Sequence, residues 1–153
     1  MYNTLRDYRF NRDIDDIRGS SVYGPGDEKL GKIDDVIFDS DNGQIRYLVV
    51  DTGGWLSSRR FLVPPDELQP SAAHEKDFSV TKTKAQIERF PALDEKVLED
   101  KQQFETYDRS YRSSWTTEAP TRKPVANNRL SGFQNEIVRN RSAICEPTIR
   151  KVS

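Results

Sequence analysis

A chain of 153 residues can hold one ordinary domain, yet only 34% of this one is hydrophobic, 32% is charged and the mean hydropathy is −0.84. That content excludes one core shared by every residue, and no stretch approaches the roughly 18–20 apolar residues needed to cross a bilayer. The formal charge of −1 hides a split: residues 1–108 carry 15 Lys and Arg against 22 Asp and Glu, a net of −7, whereas residues 109–153 carry 9 against 3, a net of +6.

Residues 1–14 are polar with aromatic punctuation at Tyr2, Tyr8 and Phe10 and read as an extended lead-in. A short strand, Ser20 to Tyr23, precedes a Gly24-Pro25-Gly26-Asp27 turn. Leu30 to Asp39 begins as loose alternation and becomes a continuous apolar run, Val36-Ile37-Phe38, as in a strand with one end half exposed and the other in the core. Asp39-Ser40-Asp41-Asn42-Gly43 supplies residues that tolerate positive φ, and Asn-Gly is the strongest short hairpin signal. Gln44 to Asp51 returns as a second strand, antiparallel because so short a connection cannot support a parallel crossover. Gly53-Gly54 breaks it, Ser57-Ser58 extends the loop, and Arg59 to Val63 forms a third strand. Pro64-Pro65 stops that strand, since proline has no N–H to give a ladder. After a polar loop from Gln69 to Asp77, Phe78 to Thr81 alternates as a further strand, and Lys84 to Phe90 makes a short helical turn before Pro91.

Leu93, Val97, Phe104 and Tyr107 fall at helical spacings, with Asp94 and Glu95 in the first turn, where the macrodipole favours acids. We assign this helix to residues 93–112; its apolar stripe is thin, as on a helix that packs on the edge of the preceding strands or on another subunit. From 113 to 153, Ser, Thr, Asn, Arg and Pro dominate without sustained periodicity. That stretch reads as a basic, largely disordered tail with a transient helix near Phe133 to Val138.

Four segments in order carry a resemblance: Ile17-Arg18-Gly19 with Val22-Tyr23, then EKLGKIDDVIFD (Glu28 to Asp39), IRYLVVD (Ile45 to Asp51) and FLVP (Phe61 to Pro64). Over about residues 15–92 the chain resembles the PRC-barrel family. That family includes the cytoplasmic domain of the photosynthetic reaction-centre H subunit, the C-terminal domain of a ribosome-maturation factor, and many stand-alone bacterial proteins often linked to stress responses. The resemblance implies a small, mainly antiparallel β-barrel that docks partners and is not defined by catalysis. The membrane helix ahead of the H-subunit barrel and the extra barrel of the ribosome factor find no counterpart in the residues before the match, so the stand-alone type is the expectation. The expected architecture is thus mainly β: a barrel over 15–92, one helix over 93–112 and the tail over 113–153. Leu30, Ile33, Val36, Phe38, Leu48, Val50, Leu62 and Val80 are the inward candidates, filling the barrel and leaving little room for a cofactor. Gly31 stands where a side chain would crowd a bend.

The residues offer chemistry only weakly. Asp51-Thr52-Gly53 matches the active triplet of aspartic proteases, whose two carboxylates share a proton; no later apolar-apolar-Gly segment supports it, and we read it as the end of a strand. Asp39 to Gly43 resembles a calcium loop, but its glycine comes one residue early and Val50 occupies the place of the bidentate glutamate. Asp34 and Asp35 lie mid-strand and should face opposite ways, with Asp35 placed to pair with Arg46 across the hairpin. One cysteine, Cys145, excludes an intramolecular disulfide and a Cys-based zinc cluster, and one histidine, His74, excludes a His-rich metal site. The N-terminus, MYNTLRDYRF, lacks an apolar signal core, so a soluble cytoplasmic protein is expected.

These readings lead to a non-enzymatic protein-binding adaptor with no catalytic residue, metal or cofactor. Its candidate interface is Trp55, Arg59 and Arg60 on the loop between the second and third strands, with Phe104 and Tyr107 on the helix. For Trp55 the alternative is a cover over one open end of the barrel. A protein partner is expected, a homodimer being one form it could take. The second function reading is a ribosome- or nucleic-acid-associated accessory whose tail contacts phosphates through Arg109, Arg112, Arg122, Lys123, Arg129, Arg139, Arg141, Arg150 and Lys151 interleaved with Tyr111, Trp115 and Phe133. The acidic body would repel such a ligand.

Overall fold

The Asn42-Gly43 hairpin forms and sets the register of the sheet. Gly43 adopts φ +76°, its N–H donates to the Asp39 carbonyl at 2.6 Å, and the Asp39 N–H donates to Gln44 at 2.9 Å. The computed structural model describes residues 2–5, 8–10, 14–56, 59–92, 95–116 and 127–145. Its strands are β1 (Tyr2–Thr4), β2 (Ser21–Tyr23), β3 (Lys29–Asp39), β4 (Ile45–Asp51), β5 (Arg60–Val63), β6 (Gln69–Pro70) and β7 (Phe78–Ser79). The helices are α1 (Lys84–Ile87), α2 (Lys101–Thr116) and α3 (Asn128–Cys145), with 3-10 turns at Pro25–Asp27, Pro65–Glu67 and Glu95–Glu99.

β3 is the spine. It pairs antiparallel with β4 along one edge, while β1 and β2 share its other edge end to end. The order β5-β4-β3-β2-β7-β6 is not closed, and β2 with β7 is a parallel pair, so the expected closed antiparallel barrel is a mixed, open sheet. The helices also hold more residues than the strands, which corrects the mainly-β expectation.

Short elements account for the difference. The lead-in contains a strand, β1, whose Tyr2 is buried, and the polar loop after Leu68 contains β6. Neither two- nor three-residue pairing leaves a periodicity to read.

All eight inward candidates are buried, but so are Ile37, Tyr47, Val49, Phe61 and Val63, which makes the central strands apolar on both faces. The second face is covered by helices. Phe104, Tyr111 and Trp115 of α2 are fully buried at spacings of seven and four, with Tyr111 edge-on to Tyr47 and Phe104 stacked on Tyr2 at 3.9 Å. α2 therefore runs past the expected end at 112, because its aromatic stripe continues at Trp115. Leu93, the expected start of the helix, lies outside the described residues.

The largest correction concerns 113–153. Residues 128–145 form α3, which buries Leu130, Phe133, Ile137 and Ile144 and edges Phe133 against Phe10 at 5.8 Å. Three or four apolar side chains in eighteen residues suffice when a preformed sheet supplies the other half of the core. The remaining tail cations Arg122, Lys123, Arg150 and Lys151 lie outside the described residues.

Candidate functional site

A groove of about 670 Å³ opens where the first half of β3 passes the loop between β4 and β5. Gly31 lines it, on a stretch of β3 so close to Asp51 that a Cβ there would stand 2.2 Å from the Asp51 carbonyl oxygen. The walls carry Arg18, Lys29, Lys32 and Arg59, with Asp34 and Asp51 between them.

The Asp51-Thr52-Gly53 triplet lies in this wall as a structural turn. Asp51 Oδ1 accepts the Gly53 N–H at 2.9 Å and meets Arg59 at 3.2 Å. The Gly53 N–H and then the Arg59 guanidinium hold the Asp51 carboxyl below the ordinary aspartate range. A shared-proton dyad needs one carboxyl raised, the opposite shift. Thr52 fixes the loop by donating both its N–H and its hydroxyl to the Arg59 carbonyl, at 2.9 and 2.6 Å, and Arg59 sits at φ +69°.

The two aspartates of β3 part company through a bulge. Ile33 faces Val50 and Asp35 faces Val49, which leaves Asp34 as the extra residue. Asp34 pairs with Arg60 at 2.8 Å, while Asp35 accepts the Leu5 and Val36 N–H groups at 2.9 and 2.8 Å. Arg46, the partner expected for Asp35, pairs instead with Asp108 at 3.0 Å.

The candidate interface residues separate into two groups. Arg59 is 65% exposed and lines the groove, and Arg60 is exposed beside it. Trp55 is half-buried; its indole N–H donates to the Leu30 carbonyl at 2.7 Å and Lys84 Nζ lies 5.3 Å above its ring, so it covers one end of the sheet. Phe104 has no exposed surface, stacked on Tyr2 and edged by Tyr47, and so is a core residue. Tyr107 is half-buried and stacks on Tyr111 at 5.6 Å.

A second concentration of charge centres on Asp108. It accepts from the Tyr47 hydroxyl, from Arg46 at 3.0 Å and from Arg112 Nε at 3.1 Å, beside a recess of about 430 Å³. Burial, then the bond to Asp108, pushes the Tyr47 phenol far above its ordinary range. Every group in the cluster meets another within the chain, so it fastens α2 to β4.

The Asp39–Gly43 loop is a hairpin turn, with Asp39 Oδ1 accepting the Asp41 N–H and Asn42 Oδ1 the Gln44 N–H. Among the described residues no group of three or more His, Cys, Asp and Glu side chains comes together to hold a metal. His74 stacks on Tyr23 at 4.0 Å and contacts Asp27 at 2.7 Å.

Sequence reasoning missed Arg18, Lys29 and Lys32 as neighbours of Arg59. The available signal was the Lys29-Leu30-Gly31-Lys32 run, in which a glycine beside a core leucine marks a close crossing of backbones and the two lysines bracketing the pair face water.

The groove is built by β3, the end of β4 and the loops before β2 and after β4, which fall within or beside the four segments singled out by sequence, and the PRC-barrel domain family model matches residues 11–87. The chain belongs to the PRC-barrel family. An uncharacterized protein of Deinococcus radiodurans is 44% identical to it over 46 residues, 30% of this chain and 17% of that protein. The likeness to that relative is therefore one of a shared segment. In this PRC-barrel chain, no helix among the described residues is long and apolar enough to cross a membrane.

Proposed function

We propose that this chain is a non-enzymatic adaptor that docks a protein partner along the groove between β3 and the β4–β5 loop. The observation that carries it is the division of labour in that groove. Asp51 holds the β4–β5 loop in shape through the Gly53 N–H and Arg59, and Asp34 is answered by Arg60, while Lys29 and Lys32 present charge to solvent beside Gly31. A rigid, exposed rim on a firm scaffold suits recognition, because little order is lost on binding. The membership of the PRC-barrel family, whose domains mediate protein interactions, supports the same reading. Self-association would use the same surface, with Trp55 and Tyr107 adding apolar area; Phe104 is no longer part of that proposal.

The reading through a basic tail draws on fewer cations than expected, since Arg112 and Arg129 pair with Asp108 and Asp15 inside the chain. The test is site-specific photo-crosslinking in the native cell. A crosslinker at Lys32 or Arg59 should yield one discrete protein adduct that the same group at Asn135, exposed on α3, does not. Identical patterns from all three positions would reject the docking site.

A further inference from the structure

We infer that the groove recognises an extended acidic segment of its partner, gripped by Lys29 and Lys32. This rests on the docking site proposed above and names the chemistry that the site takes.

The first argument is charge. The lining holds four cations and two carboxylates, on a body whose residues 1–108 sum to −7. Arg18 is fixed by Asp16 at 2.6 Å and Arg59 by Asp51, while Asp34 is answered by Arg60. Both lysines are exposed, and among the described residues neither ammonium is ion-paired. The unanswered charge of the groove is thus two lysines on one strand, a local positive site against a negative background, which steers and selects an anionic partner.

The second argument is shape. A Cβ at Gly19 or Gly53, both of which line the groove, would meet no atom within 4 Å, so open space lies beside each glycine and an extended chain has room there. Asp34 and Asp51 between the cations favour a peptide over a nucleic acid. A peptide can set carboxylates against the lysines and turn its own N–H groups toward the aspartates, whereas a phosphate backbone has only acceptors to offer them.

The test uses the full chain and a fluorescein-labelled twelve-residue peptide of alternating Glu and Gly, followed by anisotropy at low salt. Saturable binding is expected, weakened about tenfold in the Lys29→Glu/Lys32→Glu variant, since reversing two surface pairs removes on the order of 1.4 kcal/mol. The variant should melt with the wild type, and the Gln-Gly peptide should not bind. Equal affinity of variant and wild type, equal binding of the Gln-Gly peptide, or tighter binding of a single-stranded oligonucleotide of the same charge would overturn the inference. If crosslinks at Lys32 and Arg59 still capture a protein while the peptide shows no lysine dependence, the acidic chemistry fails and the docking site stands.

Discussion

Tyr111 bonds both backbone groups of Leu62, its hydroxyl accepting the Leu62 N–H at 2.9 Å and donating to the Leu62 carbonyl at 2.8 Å. Leu62 lies on β5, whose sheet neighbour among the described residues is β4 alone, so a helix side chain takes the place of the next strand. This answers the hazard of an open edge, where unpaired N–H and C=O groups invite another chain. It also explains why the sheet need not close.

Tyr111→Phe keeps the ring contacts with Tyr47 and Phe90 and deletes only the hydroxyl. Two buried backbone groups then lose their partner, which should lower unfolding free energy by about 1–3 kcal/mol in denaturant titration. A change below a few tenths would mean that water reaches Leu62.

Two glycines should respond in opposite directions. Gly31→Ala would push a Cβ to within 2.2 Å of the Asp51 carbonyl and 3.0 Å of Val50, so the β3–β4 crossing must open, at a cost of about 1–3 kcal/mol. Gly132 lies inside α3 with nothing within 4 Å of a Cβ, and Gly132→Ala should stabilise by roughly 0.5–1 kcal/mol through helix propensity. Melting temperatures of the two variants on opposite sides of the wild type would confirm the pair.

What could be read from the sequence follows from the range of the forces. The β3–β4 hairpin was legible because Asn42-Gly43 and the flanking apolar runs act locally. The third strand and the Pro64-Pro65 stop were legible for the same reason. α3 was not, because Leu130, Phe133 and Ile137 form a stripe too thin to stand without the sheet beneath it. At the groove, Asp51 and Arg59 drew attention as parts of motifs, but their meeting with Lys29 and Lys32 depends on the β3–β4 register and the bulge at Asp34. No window of sequence contains that register.

Gln134 ties α3 to the hairpin as Tyr111 ties α2 to β5. Its Nε2 donates to the Gly43 carbonyl and its Oε1 accepts the Ile45 N–H, both at 2.7 Å, and a Cβ on Gly43 would meet Val138 Cα at 2.9 Å. Gln134→Ala should speed amide hydrogen exchange at Ile45 far more than at Val50, which is held within the β3–β4 ladder. Ending the chain at residue 126 should do the same and also lower the melting temperature, since Phe133 and Ile137 leave the core. Unchanged exchange at Ile45 in both variants would show that α3 does not fasten the hairpin.

Acid should loosen α3 through Asp15. Arg129 meets the Asp15 carboxylate at 2.8 Å and also donates to Ser20 and to the Lys76 carbonyl, so one guanidinium joins α3 to the stretch before β2 and to the loop between β6 and β7. The hydrogen bond from Arg129 holds the Asp15 carboxyl below its ordinary value. A depressed folded value means stability that is present above the unfolded value and lost as pH falls through the folded one, here from about pH 4 downward. Asp15 is 60% exposed, so solvent screens the pair and the effect is modest. Asp51, depressed by the Gly53 N–H, titrates in the same window, so the Asp15 share must be isolated by mutation. Asp15→Asn should melt slightly below the wild type at pH 7, and the gap should narrow as pH falls and the wild-type carboxylate takes up its proton. A constant gap between the two melting curves from pH 7 to pH 2 would show that Asp15 acts through packing, and that the charge of Arg129 does not fasten α3 to the body.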